Sequence, residues 1–224
     1  VVPVDVPIPS RRERVARAGL RMPPRITPRF VWDALHHPAW TVSTLKAGLP
    51  RLRTMEPYAH SKSMADVISF HEENMGGSLS WEYLKEVRDL WDGPLVAKGI
   101  HHPEDAERAV QIGYDGIQVS NHGARQFDAT PAAIDLLAPI VCQVKGRAAI
   151  LFDSGVRSGL DVLRAIAVGA DFVMLGRAFI YGVAALGPRG GNHVIEILRA
   201  ELRTSMGNLG YSTVRDMRGC ATGE

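Results

Sequence analysis

Gly116-Ile117-Gln118-Val119-Ser120-Asn121-His122-Gly123-Ala124-Arg125-Gln126-Phe127-Asp128 is the stretch on which the fold of this chain turns. Its first four residues read as a short apolar strand, after which the chain bends through a histidine and an arginine three residues apart. Similar strands lie on either side. Leu95-Val96-Ala97-Lys98 precedes it, Ala148-Ala149-Ile150-Leu151-Phe152 and Phe172-Val173-Met174-Leu175 follow, and Val1 to Val6 reads as one more. Helical patterns fill the gaps. Pro103 can open and Gly113 can close a helix around Ala106, Ala109, Val110 and Ile112. Thr130 as N-cap and Pro131 at the first position would start another, burying Ile134, Leu136, Leu137 and Ile140. Ser158 caps a third, with Val162, Leu163, Ile166 and Ala167 inside and Gly169 at its stop, and Val194 to Met206 supplies a long amphipathic helix. Strands alternating with helices at roughly 30 residues per unit predict a parallel sheet of the eight-fold strand–helix (TIM) barrel type. In such barrels the C-terminal strand ends carry the chemistry, which is where His122 and Arg125 fall.

The pattern yields five strands rather than eight. An open arc of five would expose two sheet edges and half a barrel core. The expectation is therefore that this chain holds strands four to eight of the barrel, and that an N-terminal portion with about three strands is absent from it. Asp5, Lys98, His122, Asp153 and Gly176 should then end successive strands around one mouth. Residues 7–78, between the first two strands, far exceed a usual connection and read as a long inserted loop or lid. Pro7, Pro9, Pro23, Pro24, Pro28, Pro38, Pro50 and Pro57 break it up, with room for short helices at Pro28 to Ala34 and Met64 to Phe70. Ser80 then caps Trp81 to Leu90. Residues 1–224 are thus read as one partial barrel carrying this insert.

A formal charge of +2 gives no reason to expect nucleic-acid binding, but it is unevenly spread. Residues 1–60 hold ten Arg or Lys against four Asp or Glu, which leaves −4 for the rest of the chain. With Trp32 and Trp40 among Leu35, Val42, Leu45 and Leu49, residues 30–62 are expected to be mobile and to form a peripheral membrane or partner contact. For the basic segment as such, an ordinary solvated surface is the preferred reading. Cys142 and Cys220 are too few and too unpatterned for a disulfide framework, which suits a reducing compartment. His36-His37, His60, His71 and His101-His102 lack the acidic or cysteine partners of a metal cluster and read as surface histidines, so no metal is expected. No Gly-x-Gly-x-x-Gly follows a strand, so a nicotinamide cofactor is not indicated. No apolar run reaches the ~20 residues of a spanning helix. The expected location is cytoplasmic, peripheral at the inner face of the cell membrane.

Ser120 to Asp128, with Lys98, Asp153-Ser154-Gly155-Val156-Arg157 and Gly176-Arg177, resembles the signature of the FMN-dependent L-2-hydroxy acid dehydrogenases and oxidases. That family includes glycolate oxidase and the lactate and mandelate dehydrogenases, and the resemblance runs over essentially the whole chain. It implies FMN as cofactor and oxidation of an L-2-hydroxy acid to the 2-oxo acid. His122 would be the base that takes the substrate hydroxyl proton, and Asp5 the carboxylate that stabilises the resulting imidazolium. Arg12 and Arg125 would grip the substrate carboxylate, since a guanidinium is a planar fork of matching shape. Lys98 would stand at the flavin N1/O2 edge and stabilise charge developing there. Ser120 would contact the cofactor and Asp153 a ribityl hydroxyl. Ser154, Gly155, Val156 and Arg157 after one strand, and Gly176 and Arg177 after the next, would form the phosphate loops, where small residues and helix N-termini let backbone N–H groups approach an anion.

Ser154 stands where the family often has glycine, and serine is also found there in some dehydrogenase-type members. Two departures from the family pattern matter: Pro3 replaces a threonine that usually touches the flavin, and the flavin contacts of the first three strands are missing along with the active-site tyrosines. His36-His37-Pro38-Ala39-Trp40, Ser80-Trp81 and Arg88-Asp89-Leu90-Trp91-Asp92-Gly93-Pro94 look most like the lactate-oxidising branch, which passes electrons to a quinone pool. An oxidase that uses dioxygen is the other enzymatic reading. A reading from a different class is a fragment that binds flavin or phosphate without activity of its own. A homotetramer is implied by the same resemblance.

Overall fold

Five parallel strands lie side by side in chain order: β1 (Val2–Pro3), β2 (Val96–Ile100), β3 (Gly116–Val119), β4 (Ala149–Phe152) and β5 (Phe172–Val173). The computed structural model describes residues 1–8, 13–19, 25–48, 51–74, 77 and 79–220. Register runs from Val2 opposite Ala97, through Ala97 opposite Ile117 and Ile117 opposite Ile150, to Leu151 opposite Phe172. Consecutive parallel neighbours are what a strand–helix barrel requires. All four residues of β3 are buried, as expected for a strand covered on both faces. The first and last strands are shorter than the sequence suggests. Each pairs on one side only among the described residues, and Pro3 has no N–H to donate. A single bond from Val4 N–H to the Lys98 carbonyl, 2.8 Å, extends the first pairing.

The chain divides into two compact units, Val1–Ser10 with Ser78–Glu224, and Arg11–Gly77. The second is helical: α1 (Glu13–Arg17), α2 (Pro28–His36), α3 (Pro38–Ala47) and α4 (Met64–Asn74). Pro28 starts a helix where room for one was expected, and Pro38, expected to interrupt this segment, starts another. Pro28 and Pro38 each stand in a first turn, where the missing N–H would have had no partner anyway. Thr27 Oγ1 accepts the Phe30 N–H at 3.1 Å to cap α2. α2 and α3 meet through an edge-on Phe30–Trp40 pair at 6.1 Å and a 2.7 Å bond from Thr41 Oγ1 to the Ala34 carbonyl. Neither helix contains a buried residue, and Trp32, Leu35, Trp40 and Leu45 are all more than half exposed.

The first unit carries α5 (Trp81–Leu90), α6 (Pro103–Gln111), α7 (Ala133–Val144), α8 (Gly159–Val168), α9 (Arg177–Leu186) and α10 (Gly190–Leu209). Ser80 caps α5 through the Tyr83 N–H, and Ser158 and Asp161 form a reciprocal capping box on α8. α7 starts at Ala133 rather than Pro131, because the expected cap, Thr130, donates its hydroxyl to the Phe127 carbonyl within the preceding turn. α9 was not legible as a helix, and α10 begins a turn earlier than its apolar pattern implies. The core packs Ala97, Ile117, Val119, Ile150 and Phe152 of the sheet against Ala106, Ala109, Leu137, Ile140, Val144 and Ala165 of the helices. Truncating a side chain such as Leu137 to alanine there costs about 2–5 kcal/mol. Where α5 meets the sheet, the Leu95 N–H donated to Asp115, with Arg88 beside it, holds that carboxyl below its ordinary range.

Candidate active site

β3 ends by delivering Ser120, which has no exposed surface, to the mouth of the sheet. Its hydroxyl accepts from Lys98 Nζ at 3.1 Å and from the His122 N–H at 3.1 Å, and donates to Asp153 Oδ1 at 2.6 Å. All three hydroxyl positions are filled. Asp153, the residue after β4, also accepts at Oδ1 from Ser154 Oγ (2.7 Å) and at Oδ2 from Gln118 Nε2, with Lys98 Nζ 3.9 Å from Oδ2. One partly buried network therefore ties β2, β3 and the loop after β4 together. Lys98 does not end its strand as expected. It is the third of five residues in β2, and a register shift between Lys98 and Ile100 is what turns the chain at that point.

His122 is placed by an unusual turn. His122, Gly123 and Ala124 have φ of 56°, 66° and 57° in succession. For the two residues that carry a Cβ this left-handed backbone costs roughly 1–2 kcal/mol each, so it persists only where surroundings dictate it. The bonds that dictate it come from several loops. Ala124 N–H donates to the Asn121 carbonyl at 2.9 Å and to Asn121 Oδ1 at 3.2 Å, Asn121 Nδ2 donates to the Pro131 carbonyl, and Gly123 N–H donates to Ser154 Oγ at 3.0 Å. Arg177 Nη2 approaches the Gly123 carbonyl at 3.4 Å. The turn sets His122 Nδ1 3.2 Å and 3.3 Å from the two carboxylate oxygens of Asp5, whose side chain is 8% exposed. Lys98 Nζ stands 3.4 Å from the same nitrogen. A carboxylate can only accept, so Asp5 fixes the proton on Nδ1, and the lysine is then a neighbouring positive charge and not a hydrogen-bond donor to the ring.

The sequence-derived residues divide as follows. Asp5, Lys98, Ser120, His122, Asp153 and Ser154 form the connected group just described. Arg177, Ser154, Gly155 and Val156 line a cavity of about 470 Å³ with Asn121 and Gly123, within the ~300–1,000 Å³ usual for small-ligand sites. Arg157 stands beside it, its guanidinium bonded to the Val156 carbonyl at 2.9 Å. Arg125 is exposed and has no ion-pair partner among the described residues. Arg12 lies outside the described residues. Three contributors were missed. Gln118 could have been found as a lone polar residue in a buried strand, and Gly99 as an isolated glycine in a strand. His101, read as a surface histidine, is half-buried, and its Nε2 meets the Ser120 carbonyl at 2.7 Å.

The cavity suits the phosphate end of a flavin nucleotide. Gly176 heads α9 with no side-chain cap, leaving that helix N-terminus open to an anion, and Arg177 supplies charge. Cβ atoms added at Gly155 or Gly176 would meet nothing within 4 Å, so both face open space. The family model described as "FMN-dependent dehydrogenase" matches residues 1–221. The chain belongs to the FMN-dependent dehydrogenase family. L-lactate dehydrogenases of Pseudomonas aeruginosa PAO1 and Acinetobacter baylyi are each 42% identical to it over 219 residues, covering 97% of this chain and 57% of the relative. Among solved structures, the monotopic membrane protein (S)-mandelate dehydrogenase superposes with a TM-score of 0.89 at 33% identity, over 96% of this chain and 57% of that one. Mandelate oxidase gives 0.72 at 34% identity, over 98% of this chain and 54% of that one. The chain thus spans a little over half the length of these relatives, as part of the FMN-dependent family's barrel would.

Proposed function

We propose that this protein oxidises a lactate-like L-2-hydroxy acid to the 2-oxo acid with FMN as cofactor. The observation that carries the reading is the His122–Asp5 pair held beside Lys98 at the C-terminal side of the sheet. With Nδ1–H pointing at Asp5, the Nε2 lone pair of His122 is available to take the substrate hydroxyl proton, and Asp5 then faces the imidazolium it has to stabilise. Bound FMN would supply the acceptor for the C2 hydrogen and its electrons. Lys98, Ser120 and Asp153 would hold the ring and ribityl end, and Ser154, Gly155, Val156, Arg157, Gly176 and Arg177 the phosphate. Arg125, exposed and without an ion-pair partner among the described residues, would with Arg12 clamp the carboxylate. The test is anaerobic: L-lactate added to the flavin-loaded protein should bleach the flavin absorbance, and D-lactate should not. No bleaching by any L-2-hydroxy acid would overturn the reading.

The electron acceptor in this proposal is a membrane quinone, with dioxygen as its competitor in the assay. Support comes from the helical unit Arg11–Gly77, where α2 and α3 present Trp32, Leu35, Trp40 and Leu45 to solvent beside Arg25, Arg29 and Lys46. Aromatic and aliphatic side chains flanked by cations suit the surface of an anionic bilayer. No helix among the described residues is long and apolar enough to cross a membrane. The contact proposed here is peripheral, at the inner face of the cell membrane. The assembly proposed with it is a homotetramer, which sizing by light scattering checks.

A further inference from the structure

Ser154 adopts φ 83°, a left-handed backbone that side chains rarely take. What its hydroxyl does accounts for the residue being held there. Oγ accepts the Gly123 N–H at 3.0 Å and the Asn121 N–H at 3.3 Å, and donates to Asp153 Oδ1 at 2.7 Å. One donor and two acceptor positions are thereby used up. The two amides it receives belong to the residues on either side of His122. Neither has another acceptor among the described residues, so losing the hydroxyl would leave two partly buried N–H groups unpaired. The third bond runs to Asp153, which is held in turn by Ser120 and Gln118.

We propose that Ser154 is a positioning residue: its hydroxyl clasps the loop after β3 to the loop after β4 and so aims the His122 imidazole. This deepens, and rests on, the reading of His122 as the base. The backbone angle makes the clasp testable without confusing it with strain. Glycine is at ease at φ 83° but has no hydroxyl, while alanine lacks the hydroxyl and keeps the strain.

The experiment compares the parent, Ser154→Gly and Ser154→Ala in the flavin-loaded protein by thermal melting, by amide hydrogen exchange at Asn121 and Gly123, and by anaerobic flavin reduction with saturating L-lactate across pH. Ser154→Gly should melt below the parent but above Ser154→Ala, because it loses the hydrogen bonds while relieving the strain, and it should exchange both amides faster and reduce its flavin about 10- to 100-fold more slowly, the scale of a misplaced reacting group. Its pH profile should also shift, because the setting of His122 has changed. Ser154→Ala should lose both melting temperature and rate. Unchanged exchange in Ser154→Gly, or flavin reduction at the parent rate with the parent pH profile, overturns the clasp. If the parent itself is not reduced by any L-2-hydroxy acid, the functional reading fails, and the exchange result still judges the clasp.

Discussion

Gly99 and Asp5 occupy the same pocket of space: a Cβ at position 99 would lie 2.4 Å from Asp5 Cγ and 2.7 Å from its Oδ1. The glycine sits at φ 94° in the register shift of β2, immediately after Lys98. Its missing side chain is the slot in which the carboxylate facing His122 is held. Gly99→Ala should push Asp5 off His122 Nδ1 while leaving the phosphate loops, on other strands, in place. The expected result is flavin content at parent level with flavin reduction slowed about 100-fold, the cost of roughly an ångström of misplacement. Rapid-mixing absorbance measures the rate, and parent-like reduction by Gly99→Ala would show that Asp5 needs no such slot.

Removing the base tests the central chemistry. His122→Gln should keep its flavin and bind substrate, but reduce flavin at least ~100-fold more slowly in stopped-flow with L-lactate, the lower end of what a general base contributes. Arg125→Lys should act differently, weakening substrate affinity more than the limiting rate, because an ammonium cannot reproduce the two-pronged contact of a guanidinium. A His122→Gln protein that bleaches at the parent rate would remove His122 from the mechanism.

The pH dependence of stability should carry the signature of one surface cluster. Hydrogen bonds from Arg147 first, then Gln143 and Gln111, hold the Glu107 carboxyl down to about 2 from an ordinary 4.5. A depressed carboxyl contributes stability that is fully present above 4.5 and is lost as pH falls through the folded value. The melting-temperature gap between parent and Glu107→Gln should therefore be widest near neutral pH, shrink below 4.5 and close by about 2. The pair is solvent-facing, so the gap should be small and should narrow further in high salt. A gap that is constant across this range would assign the effect to packing instead.

Membrane contact should depend on the exposed aromatic side chains. Replacing Trp32 and Trp40 together by serine should sharply reduce co-sedimentation with vesicles containing anionic lipid, without altering flavin reduction by L-lactate. Binding equal to the parent would mean that α2 and α3 are not the contact.

Much of the frame was legible in the residues alone. Short apolar runs at Leu95, Gly116 and Ala148, with caps at Ser80 and Ser158 and a stop at Gly169, point to a parallel sheet, because these are local preferences of backbone and side chain. The His122–Arg125 run and the glycine-containing loops after β4 and β5 were likewise visible, since chemistry of that kind needs particular residue types at short spacing. The ends of β1 and β5 were not. How far a ladder extends depends on a neighbouring strand, which no local pattern contains. Pro38 read as a breaker because its meaning depends on whether a helix starts or is interrupted there. The contacts that aim His122 were also hidden: Asp5 is 117 positions away in the chain, Ser154 reaches back 31 residues to Gly123, and Gly99 matters only because Asp5 fills the space beside it. The sequence by itself determined which groups were available. Only the tertiary structure decided which of them meet, because hydrogen bonding and steric exclusion act through distances of a few ångströms that chain separation does not encode.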